Sequence, residues 1–120
     1  MNAAATALFP AEYVRFIELF NAGDYFEAHE ALETLWLVTR DERRDFYQGL
    51  IQAAAAFLKL QQHKPEPATR LAARALTRLE RYAGSFEGLD RSSLTGTLHA
   101  IEAGRDSSAI TAPVLELTGS

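Results

Sequence analysis

Residues 20–52 read FNAGDYFEAHEALETLWLVTRDERRDFYQGLIQ, and two helices are written in them. Asn21-Ala22-Gly23 ends a preceding helix, with Gly23 able to take the left-handed conformation of a C-cap. Asp24, followed by Glu27 three residues on, is a capping-box-like start for the next. From Tyr25 to Val38, wound at about 100° per residue, only Glu27 and Thr34 share a clearly polar direction. That pattern predicts a central helix covered on most of its sides. Thr39 to Glu42 makes the turn, and Arg43 to Gln62 forms the following helix. Its Gly49 and the run Ala53 to Ala56 let a neighbouring backbone approach closely, while Phe46, Leu50, Ile51, Phe57 and Leu58 supply bulk.

Working outward, Pro10 suits the first turn of a helix whose Tyr13, Phe16, Ile17 and Phe20 make one apolar stripe. Before it, residues 1–7 are expected to fray. His63-Lys64-Pro65-Glu66-Pro67 is a break, after which Pro67 to Ala83 forms a fourth helix. Leu71, Ala72, Ala75, Leu76, Leu79 and Tyr82 face its core, Arg70, Arg74, Arg78 and Arg81 make a solvated outer face, and Gly84 caps it. A shorter helix, Arg91 to Ala103, carries Leu94, Leu98 and Ile101, and Gly104 stops it. Ile110, Val114 and Leu117 around Pro113 read as an extended tail, with 118–120 loose. The expected fold is all-α: a compact antiparallel bundle of about five helices in one domain, its core at about 9–104 and its tail, 105–117, packed on the bundle.

Bulk properties narrow the function. A chain of 120 residues, 48% hydrophobic and 23% charged, builds one core. The net charge of −4 argues against generic nucleic-acid binding, which needs surplus Lys and Arg. With no cysteine there are no disulfides or thiolate metal sites. No apolar run has the length to span a bilayer and the first residues lack a secretion signal, so no membrane association and a cytoplasmic location are expected. An apolar stripe left over on the first or fifth helix would favour a homo-oligomer.

The chemistry gathers at His29, Glu30 and Glu33 on one helix and Arg44, Gln48 and Gln52, four apart and so on one face, of the next. Trp36 falls on the same side as His29 and belongs to the core. One reading makes these residues a buried polar network, with Arg44 pairing Glu30 or Glu33 and the glutamine amides completing it, that fixes how the two helices pair. The rival makes the His29, Glu30, Glu33 and Arg44 cleft the site of a metal-dependent or acid–base enzyme, hydrolytic in type. His29 and Glu33, at i and i+4, could hold one divalent ion, yet Arg44 opposite would repel it. No cofactor is therefore expected. His63 and His99 have no spaced partners and read as exposed and idle.

These residues carry a resemblance. The run Phe20, Gly23, Tyr25, Phe26, His29, Glu30, Glu33, Trp36, followed by Arg44, Phe46, Gln48, Gly49, Leu50, Ile51, Gln52, resembles a family of small bacterial and archaeal proteins, the domain of unknown function numbered 309. The resemblance implies a compact helical bundle and no established activity. This chain departs from the pattern at Lys59, His63-Lys64 and Pro67, where the family has a His late in the third helix, then Gly-Asn and a Gly. The reading favoured is a non-enzymatic structural or interaction module.

Overall fold

The computed structural model describes residues 6–82 and 84–118. The 1–5 part of the fraying expected at 1–7, the helix end at Ala83, and the 119–120 part of the looseness expected at 118–120 lie outside that set, while Thr118 is tied by its N–H to Gly88 O. Among the described residues five α-helices carry the fold: α1 Ala11–Asn21, α2 Tyr25–Val38, α3 Arg43–Gln61, α4 Pro65–Leu79 and α5 Ser92–Glu102. Each packs on the next, α1 on α2, α2 on α3, α3 on α4 and α4 on α5. Short connections produce that order. The all-α bundle expected from the sequence is the fold observed. No helix among the described residues is long and apolar enough to cross a membrane.

The core is built around aromatic rings from α1 and α3. Tyr13, Phe16, Ile17 and Phe20 of α1 are buried, as their spacing predicts, against Phe46, Tyr47 and Leu50 of α3. The Phe20 ring meets Phe57 edge-on at 5.3 Å, and Tyr25 stacks on Phe57 at 5.4 Å. Gly49 lets α4 close on α3, since a Cβ there would lie 2.9 Å from Leu79 Cδ2. Leu94, Leu98 and Ile101 seal the far side from α5.

Helix ends follow local chemistry, with departures. After α1, Gly23 at φ +80° closes the turn by donating to Phe20 O while Asp24 N donates to Leu19 O. Asp24 precedes α2 but makes no side-chain cap bond, so the expected capping box does not form. After α3 the same pair of bonds recurs with His63, at φ +59°, where glycine is usual. Helix α4 starts at Pro65, two residues before its expected start, because both prolines fit a first turn whose N–H groups have no helical partner. Its last helical residue is Leu79, short of the expected end.

The segment after α4 is a hairpin, an element that the sequence pattern does not identify. β1 Ser85–Phe86 pairs antiparallel with β2 Leu89–Asp90 through the two-residue turn Glu87-Gly88, both at positive φ. Two left-handed residues define a type I′ turn, whose twist suits a hairpin. The tail adds a bridge, Leu117 to Leu89, and Thr118 N donates to Gly88 O at 2.9 Å. Phe9 lies over the turn: a Cβ on Gly88 would come 2.3 Å from its Cζ. The Tyr13 hydroxyl donates to Glu87 O at 2.9 Å, and burial pushes that phenol's pKa far up. Asn21 binds the tail from the other end, its Nδ2 donating to Leu115 O and its Oδ1 accepting from Leu115 N, each at 2.8 Å. Leu115 and Leu117 are buried, whereas Val114, read from the sequence as part of the same tail, is 74% exposed.

Candidate functional site

Helix α2 is covered on two flanks and open outward. Tyr25, Ala28 and Leu32 face the core, yet Phe26, Leu37 and Val38 are 46%, 53% and 71% exposed. The central, mostly covered helix expected from the helical pattern is therefore corrected: α1 and α3 reach its sides, and none of the described elements lies over its outer face. Phe26 stacks instead on its own neighbour His29, with ring centroids 6.3 Å apart.

The predicted cluster lies along the edge where α2 meets α3. His29 Nε2 and Glu33 Oε2 are 3.2 Å apart on one face of α2. Arg44, from the first turn of α3, stacks its guanidinium 4.2 Å above the Trp36 ring, with a long 3.5 Å contact from Nε to Trp36 O. Among the described residues Arg44 makes no ion pair with Glu30 or Glu33. Gln52, two turns along α3, accepts from Arg78 Nε of α4 at 3.2 Å, so the Arg44–Gln48–Gln52 row runs from an α2 contact to an α4 contact.

The buried network does not hold. Glu30 is exposed; His29, Glu33, Trp36, Arg44, Gln48 and Gln52 are all half-buried. Among the described residues of polar or charged type, Thr39 is the buried one, and its hydroxyl donates to Leu35 O at 2.7 Å. The row sits at a helix edge that no further element covers, so its charges keep their water and need no mutual pairing. Trp36 is likewise half-buried rather than core, with its Nε1 enclosed and without a partner among the described residues. Among the described residues, no group of three or more His, Cys, Asp or Glu side chains is arranged to hold a metal ion.

Further interhelical polar pairing forms on the side of α3 that faces α4. Asp45 accepts from Arg78 Nη1 and, at 3.0 Å, from Arg81 Nη1, while the Tyr82 hydroxyl lies 3.1 Å from its Oδ2. Burial, then the adjacent Asp45 charge, pushes the Tyr82 phenol up to about 12. Arg78 is thus not part of a uniformly solvated face. The signal was present in the spacing: Asp45 and Gln52, seven apart, share a face of α3, as Arg78 and Arg81 do on α4. His99 is exposed as expected but not idle, its Nε2 lying 3.2 Å from Glu80 and its Nδ1 3.8 Å from Glu102.

A groove of about 660 Å³ opens on the opposite flank of α2, between it and α1, with Phe9, Val14 and Ala31 in its walls. Its lining is mostly apolar, with Glu12, Arg15 and Glu18 among the residues around it, and includes none of the cluster residues.

Comparison with known proteins places this arrangement. Residues 13–71 match the family described as "Domain of unknown function (DUF309)". An uncharacterized protein of Aquifex aeolicus (strain VF5) is 29% identical over 68% of this chain and 25% of its own length. The uncharacterized protein YpuF of Bacillus subtilis (strain 168) is 30% identical over 78% of this chain and 56% of its own. The chain therefore spans a quarter to just over half of these curated relatives. The crystal structure of a conserved hypothetical protein, TTHA0068, from Thermus thermophilus superposes with a TM-score of 0.66 at 33% identity, covering 78% of this chain and 97% of that one. The matched region spans α1 to the first half of α4, just under half of the chain, and over that stretch the chain is similar to the DUF309 family.

Proposed function

We propose that the chain is a non-enzymatic interaction module that docks a basic, amphipathic segment of a partner protein on the outward face of α2. The observation carrying this is the exposure of Phe26, Leu37 and Val38 there. Phe26, Glu30, Glu33 and Leu37 follow at helical spacing and form one stripe, apolar at both ends and acidic between. The Arg44–Trp36 stack borders it, and Trp, Phe and Arg are residue types that dominate interface energies. A complementary partner presents apolar anchors separated by Lys or Arg. A second copy of this chain fits less well, because twofold pairing of the stripe sets Glu30 and Glu33 of the two copies against one another. That the matched region is a quarter of the Aquifex relative supports reading it as a module carried in longer chains.

Trp36 is the single tryptophan of the sequence and reports on this face. Its emission is followed while a tryptophan-free synthetic helix, Leu on one side and Lys on the other, is added. The expected result is saturable binding, weaker by about thirtyfold or more when Phe26 and Leu37 are both changed to Ser, and absent when Glu replaces Lys in the peptide. Equal affinity for both peptides, or no effect of the double substitution, contradicts the proposal. So does a dimeric mass by light scattering that Phe26→Asp returns to that of one chain.

A further inference from the structure

The seam between α3 and α4 opens into a pocket of about 280 Å³ lined by Gln52, Arg74, Thr77, Arg78 and Arg81. Three guanidinium groups meet there in a chain whose net charge is −4, so the local charge opposes that of the whole molecule. Asp45 balances only one of them, shared between Arg78 and Arg81, and leaves an excess of two positive charges. Arg74, one turn along the same face, takes no part in that pairing.

Arg78, Arg81 and Gln52 are held in place before any ligand arrives. Arg78 is fixed on two sides, by Asp45 at Nη1 and by Gln52 Oε1 at Nε, which leaves the hydrogens of its Nη2 unused. Arg81 engages Asp45 through one nitrogen and keeps the others. Gln52, accepting through its oxygen, has its Nε2 as a further donor. Thr77 gives its proton to Ala73 O at 3.0 Å and so adds no donor. What remains is a set of planar forks and one amide, with a surplus charge of two.

We infer that this pocket binds the phosphate or diphosphate group of a small ligand. A carboxylate offers two oxygens and one charge and leaves half the surplus unmatched. A phosphate or diphosphate offers three or more oxygens and close to two charges or more, and guanidinium forks bind its oxygens in pairs. Neither the docking face on α2 nor its partner enters this assignment, because the pocket is formed by α3 and α4.

The test is calorimetric titration of the full chain with inorganic phosphate, pyrophosphate, AMP and adenosine at fixed ionic strength. Pyrophosphate is expected to bind more tightly than phosphate, AMP to bind, and adenosine to give no saturable heat. Arg74→Gln and Arg81→Gln, both at exposed positions, each weaken pyrophosphate by about tenfold or more. Arg74→Lys, which keeps the charge and loses the fork, weakens it less than Arg74→Gln. Arg70→Gln, outside the pocket, leaves the affinity within about twofold. Absence of pyrophosphate binding, an equal loss in Arg70→Gln, or binding confined to a short single-stranded RNA tested alongside would each overturn the assignment.

Discussion

Asp45 faces α4 from the first turn of α3, and Arg78, Arg81 and Tyr82 converge on its two oxygens. Arg44, the next residue back, faces α2, and among the described residues its guanidinium meets the ring and carbonyl of Trp36 and no carboxylate. The two adjacent charges therefore differ in what their removal leaves behind. Asp45→Ala strips the half-buried Arg78 of its counter-ion, a loss of roughly 1–3 kcal/mol, with the more exposed Arg81 contributing little. Arg44→Ala removes a partly solvated stack worth about 0.5–1 kcal/mol. Urea unfolding of the two variants checks the order: Asp45→Ala is expected to be the less stable. The reverse order would mean that Arg44 neutralises a carboxylate of α2 in solution. Sequence spacing indicated that Arg44, Gln48 and Gln52 share a face, but not that this face lies at an uncovered edge where ion pairing is optional. That depends on which neighbours the helix receives, and no periodicity within the helix encodes it.

Among the elements, the α2–α3 pair was legible almost to the residue, since Gly23, the Thr39–Glu42 turn and two sustained helical patterns all point the same way. The hairpin was not. Its turn is Glu87-Gly88, and Glu is a poor signal for a position at φ +50°, where Asn or Asp would have announced a type I′ turn. Tertiary contacts hold it instead, through Phe9 above Gly88, Tyr13 on Glu87 O and the tail at Leu89. Burial in that setting raises the Glu87 carboxyl above its ordinary value, only partly offset by Arg43. An acid with a raised folded value holds its proton more firmly in the folded chain. Its ionised form costs stability above that folded value, and the cost shrinks as pH falls and disappears below the unfolded value of about 4.3. Glu87→Gln keeps the backbone demand and removes the charge. It is expected to unfold at higher urea than the parent at pH 7 and at the same urea at pH 3; a pH-independent difference would show that the carboxyl is fully hydrated.

For the whole molecule, the order of packing decides where function can sit. A chain that lays each helix on its predecessor leaves every helix an outward side, and the uneven use of those sides is informative. The outward side of α4 carries arginine, while that of α2 carries Phe26, Leu37 and Val38 with glutamates between. The sequence could not reveal the latter, because an all-round apolar helix looks the same whether its last side is covered from within or by a partner. The most direct test maps amide and indole chemical shifts of the full chain as the Leu/Lys helix is added to saturation. The largest changes are expected at Phe26, Glu30, Glu33, Leu37 and the Trp36 indole, continuing to Arg44. Changes centred on the α1–α2 groove at Phe9, Val14 and Ala31, with the α2 stripe unmoved, would contradict the account.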